Sequence, residues 1–82
     1  PLFQDATFFV AERGQASTSM LQRRFAIGFQ RASRLIDEME ERGIVGQRDG
    51  PRPREALISI MEAEEMFGMS AGLPEIEVEE NA

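Results

Sequence analysis

Gln30, Arg31, Ser33 and Arg34 fall within one stretch of five residues. A guanidinium is a planar fork of donors, and a carboxamide carries a donor and an acceptor side by side. Both groups can bond two atoms of a purine edge at once: arginine meets guanine O6 and N7, and glutamine meets adenine N6 and N7. A spacing of three brings Arg31 and Arg34 together on a helix surface. The competing reading is an ordinary solvated face, in which Arg34 pairs with Asp37 or Glu38 for about 0.2–0.5 kcal/mol. A second set of cations surrounds this run. Arg23 and Arg24 precede it, and Arg48, Arg52 and Arg54 lie in a loop with Asp49-Gly50-Pro51 and Pro53. These five, with Ser33 on the polar face of the same helix, are candidate contacts to a phosphate backbone, which position a protein without specifying sequence.

The elements needed to present these groups are legible. Leu2, Ala6, Phe9 and Val10 recur at helical spacing and predict a first helix from Leu2 to Arg13, stopped by Gly14. Ala16 to Thr18 is a short extended link, and Ser17 or Thr18 can cap a second helix running to about Phe25. Ala26-Ile27-Gly28 is the turn, with glycine relaxing the backbone. Phe29, Ala32, Leu35, Ile36 and Met39 form a stripe that predicts a third helix from about Phe29 to Arg42. Its opposite face carries Gln30, Arg31, Ser33 and Arg34, followed by acidic Asp37, Glu38 and Glu41. Acidic residues repel phosphate, so the N-terminal end of this helix is the one suited to a polyanion. Gly43 ends it. Ile44-Val45 and Glu55 to Ile58 read as two short strands around a polar loop, a hairpin wing. The phenylalanines Phe3, Phe8 or Phe9, Phe25 and Phe29 read as core. The fold class expected is therefore α+β: a winged helix-turn-helix of three helices plus a hairpin over residues 1–58.

Composition narrows the chemistry. The chain has 82 residues, enough for one small domain, and a net charge of −6. That charge is segregated. All nine basic residues are arginines within 1–58, where they face eight acidic residues, while 59–82 carries seven acidic residues and no base. The acidic segment, broken by Gly68, Gly72 and Pro74, is expected to be a disordered tail, although Ile60 to Phe67 could form a helical turn or two. Cysteine and histidine are absent, which removes thiolate zinc sites and the commonest general base. Lysine is absent too, so the chain holds no Walker-A loop. No catalytic residue, metal or cofactor is expected in this domain. A start at Pro1 rather than Met suggests a piece of a longer protein.

Beyond these patterns, the wording of the sequence is itself informative. Gln22 to Arg34 resembles the "LQRRxxIGYNRAAR" run of the FtsK/SpoIIIE γ domain, and Leu35 to Gly46 resembles that family's "LIexMExxGIVG". Asp49 to Leu57 is similar to its wing and return strand. The resemblance covers about residues 2–58. Phe29 stands where the family has tyrosine, Gln30 where it has an asparagine assigned to bases, and Ser33 where it has alanine. The resemblance implies the C-terminal winged helix of a hexameric, membrane-anchored bacterial DNA translocase, on the cytoplasmic side of the inner membrane. It implies duplex DNA as the partner, with short, polarised G-rich sites read to set the direction of chromosome segregation at cell division. It implies that Arg31 and Arg34 contact bases, that Arg52 and Arg54 contact backbone, and that a tyrosine recombinase is a second partner. The isolated domain is expected to be monomeric and non-catalytic, with the ATP-dependent motor elsewhere in the parent chain. Two other readings stay open: a transcription regulator's winged helix, and a protein-docking module.

Overall fold

Small residues set the element boundaries of this chain, for which a computed structural model describes residues 1–68. The order is α1 (Leu2–Arg13), β1 (Gln15–Ala16), α2 (Thr18–Phe25), α3 (Phe29–Glu41), β2 (Arg54–Glu55) and α4 (Ile60–Phe67). Gly14 closes α1 in the left-handed region (φ 80°), its amide donating to the Val10 carbonyl. Ser17 caps α2 by accepting from the Met20 amide at 3.2 Å, which satisfies one of the amides a helix start leaves free. The result is an α+β domain in which α1, α2 and α3 enclose the core.

That core contains the fully buried Val10, Leu21, Met39 and Ile44, with Val45 beside them. Burying side chains of this size stabilises by about 1.5–3 kcal/mol each. The α3 stripe is buried at Ala32, Leu35, Ile36 and Met39, but not at Phe29, which is 60% exposed. Phe29 is the first residue of α3. Expecting it in the core was wrong because the preceding segment is a turn with no helical face for the ring to pack on.

The two strands pair antiparallel, Gln15 with Glu55 and Ala16 with Arg54. The link expected at Ala16 to Thr18 is thus partly a strand. The segment after β2 also pairs back on Ile44-Val45. Val45 bridges Ala56, the Gly46 amide donates to Glu55 O (2.9 Å), and the Leu57 amide donates to Ile44 O (2.8 Å). The return segment is therefore held on both sides, and the 46–53 loop projects from it.

The α2–α3 turn differs from expectation in its source of freedom. Gly28 is extended (φ −77°, ψ 170°) and serves as the N-cap of α3. The left-handed position is Ala26, at φ 55°. An L-residue there costs about 1–2 kcal/mol, partly offset by the chain entropy that glycine would add to the unfolded state. Ala26 is exposed. Ala26→Gly is expected to stabilise the domain by about 0.5–1 kcal/mol, raising Tm by roughly 2–8 °C; a lower Tm would show that the methyl group packs in a way that outweighs the strain.

Disorder beyond Ser59 is corrected over α4. Ser59 Oγ accepts from the Glu62 amide (3.1 Å), and Glu62 Oε1 accepts from the Ser59 amide (2.8 Å), a complete capping box. Ala63 is buried, and Phe67 meets the rings of Phe3 (6.2 Å between centroids) and Phe8 (5.8 Å) on α1. The rest of the expected tail lies outside the described residues.

Candidate nucleic-acid interface

Helix α3 turns its polar residues outward because its buried stripe fixes its rotation. At about 100° per residue, Gln30 and Arg34 lie some 40° apart and nearly opposite that stripe. Arg31 lies about 60° from Arg34 on one flank, and Ser33 lies on the other. Gln30, Arg31 and Arg34 are all exposed. The pairing of Arg34 with Asp37 or Glu38 does not form. Glu38 is bonded instead to Arg42 at 2.8 Å, Glu40 to Arg54 at 2.9 Å, and Asp37 lies 3.9 Å from Arg54. Among the described residues Arg31 and Arg34 have no ion pair. The helix is thereby divided, with uncompensated positive charge in its N-terminal half and three of its four carboxylates engaged in its C-terminal half.

The remaining candidates separate into two groups and one exception. Ser33, Arg48 and Arg52 line a shallow cleft of about 180 Å³ between α3, the 46–53 loop and the start of α2. Ser17 and Thr18 line it too. Sequence reasoning valued those two only as helix caps, though a helix start also presents free amides to anions. Arg52 is held loosely, 3.9 Å from Asp49 with both side chains 79% exposed. The loop narrows at Asp49-Gly50-Pro51-Arg52, where the Arg52 amide donates to Asp49 O (3.2 Å) and Gly50 takes φ 59°.

Arg23 and Arg24 line a different cleft, with Phe9 and Arg13. The Arg24 guanidinium lies over the rings of Phe9 (5.4 Å) and Phe25 (5.3 Å), a cation–π arrangement that holds it against α1 and α2. The structure therefore does not bring this pair to the cleft beside α3.

Arg54 is the exception. Expected as a backbone contact, it is instead found buried, at 8% exposure. Its Nη1 donates to Glu40 Oε1 (2.9 Å) and to the Gly46 carbonyl (3.0 Å). Backbone pairing of Arg54 with Ala16 turns its side chain toward α3, where it fastens the base of the loop to the helix. Sequence distance concealed this, since Glu40 lies 14 residues away.

These features define a small α+β module with a cationic helix end beside a basic loop. The model of the Ftsk gamma domain matches residues 1–59, and the chain belongs to that family. It is 57% identical over 63 residues to a DNA translocase FtsK of Halalkalibacterium halodurans, covering 77% of this chain and 8% of that protein. It is 58% identical over 57 residues to a DNA translocase FtsK of Oceanobacillus iheyensis, covering 70% and 7%. A DNA translocase SpoIIIE of Bacillus subtilis is 55% identical over 58 residues, covering 71% and 7%. The chain thus spans under a tenth of the length of these relatives. Among the described residues, no helix is long and apolar enough to cross a membrane.

Proposed function

We propose that this chain is a winged helix-turn-helix that binds duplex DNA with sequence preference and serves as the orienting domain of a DNA translocase. In this reading α2 and α3 are the helix-turn-helix, and α3 enters the major groove by its N-terminal end, as recognition helices do. Gln30, Arg31 and Arg34 meet base edges. The 46–53 loop is the wing, and Arg48, Arg52 and Ser33 follow one backbone strand, with the α2 start beside them. Arg23 and Arg24 serve a more distant phosphate. The observation that carries this reading is the division of α3. Three of its four carboxylates, Asp37, Glu38 and Glu40, are engaged by Arg42 and Arg54, while Arg31 and Arg34 stay exposed and unpaired among the described residues.

Kinship with FtsK and SpoIIIE translocases supports the wider role. Within a membrane-anchored hexameric parent, the domain reads short, polarised G-rich sites and so sets the direction of chromosome transport. It carries no catalysis, needs no cofactor and leaves the ATP-dependent motor to the rest of the parent. A tyrosine recombinase is a second candidate partner.

The test is fluorescence anisotropy with a polarised G-rich duplex and a scrambled duplex of equal length at one salt concentration, followed by a salt series. Preference for the first is expected, with log K falling by about 0.9 per log unit of salt for each phosphate neutralised. Equal affinity for both duplexes, or an affinity indifferent to salt, would end this reading.

A further inference from the structure

Five of the six phenylalanines are accounted for by ring contacts. Phe3 and Phe8 meet Phe67, and Phe9 meets Phe25. Phe29 makes no such contact among the described residues, is not part of the apolar cluster and is 60% exposed. A lone exposed apolar side chain is unremarkable on most of a protein surface. Here it occupies the first position of α3, next to Gln30 and one turn before Ser33. Ile27 in the turn before it packs against the core while Phe29 does not, so the ring stands at the tip that the proposed docking puts deepest in the groove. It can neither donate nor accept a hydrogen bond there. What the major groove offers such a group is the C5 edge of a pyrimidine, and above all the methyl group of thymine.

We infer that Phe29 is a DNA-contacting, specificity-determining residue that packs on the C5 edge of a pyrimidine and favours thymine through its methyl group. The inference rests on the DNA-binding reading above and adds a contact of different chemistry to the arginines. It accounts for an aromatic ring left in water at a helix end: the ring is covered only in the complex. It also assigns Phe29 a role that does not need a hydroxyl, because the packed surface is the ring itself.

The test uses the chain and its Phe29→Ala and Phe29→Tyr variants, after thermal melts that are expected to change little because the ring lies outside the apolar cluster. The wild-type chain first selects a preferred duplex from a randomised pool. Anisotropy is then measured with fluorescein-labelled copies in which each thymine in turn is replaced by uracil, which removes only the methyl group. At one thymine, the wild-type chain is expected to lose about fourfold in affinity, the worth of one buried methyl at ~0.8 kcal/mol. Phe29→Tyr should lose as much at that position, while Phe29→Ala should bind the parent duplex more weakly and ignore the change. Phe29→Ala binding like wild type, or uracil effects independent of residue 29, overturns the inference while leaving the DNA-binding reading intact. Failure of the wild-type chain to select any duplex overturns both.

Discussion

Arg34→Ala is expected to lower affinity for the preferred duplex roughly tenfold to a hundredfold, since a bidentate contact to a base contributes ~1–3 kcal/mol. Affinity for a scrambled duplex should fall far less, by what one phosphate-attracting charge contributes. Arg34 is the best placed of the cations for this role, because it stands nearly opposite the buried stripe and one turn beyond Gln30. It needs no partner to be broken before it binds, as Asp37, Glu38 and Glu40 are held by Arg42 and Arg54. Arg34→Lys should recover the nonspecific part and little of the preference, because an ammonium lacks the planar fork. Parallel titrations of the three proteins on the two duplexes decide the matter. Equal losses on both would make Arg34 a backbone contact. Arg31, on the flank of the helix, provides the comparison within the same experiment.

The second large effect falls on stability. Arg54→Ala is expected to destabilise the domain by about 2–3 kcal/mol, since a hydrogen bond to a charged group contributes ~1.5–3 and a broken buried pair up to ~5. The lower figure applies because Glu40 and Asp37 are 39% and 67% exposed and can be rehydrated. For a domain of this size the loss should lower Tm by roughly 10–20 °C. Arg54→Lys should restore only part, as one ammonium cannot span both the Glu40 carboxylate and the Gly46 carbonyl with equal geometry. Thermal or urea denaturation without DNA separates the two roles considered for this residue. An unchanged melt would return Arg54 to the backbone contacts.

The helices and the polar face of α3 were legible because they follow from periodicity and from single capping residues. Leu2 to Arg13 ends where Gly14 requires it, and α2 begins where Ser17 can accept an amide. What escaped were features set by contacts distant in sequence or by position within an element. Arg54 sits among prolines and glycines, so composition assigns it to an open loop, whereas strand pairing with Ala16 turns it inward. Phe29 fits the spacing of the buried stripe, but spacing is blind to whether anything lies across from the first turn. Helix α4 carried a signal that charge counting overrode: Ser59 followed three residues later by Glu62, ahead of an apolar pair at Met66 and Phe67. Gly28 looked like the flexible residue of the α2–α3 turn, and the left-handed position went to Ala26 instead.

The seam between α1 and α4 has a mechanical consequence. Ile60 borders a cleft with Phe8 and Glu12, while Phe67 lies on Phe3 and Phe8, so the two helices run in opposite directions. The first and last described turns therefore sit side by side at one end of the molecule. Tension applied across Leu2 and Gly68 acts in an unzipping geometry, opening the Phe3–Phe67 contact before any strain reaches the centre. A pull of this kind would strip α4 from α1 one contact at a time before it reached β2 and the Arg54 contacts to α3.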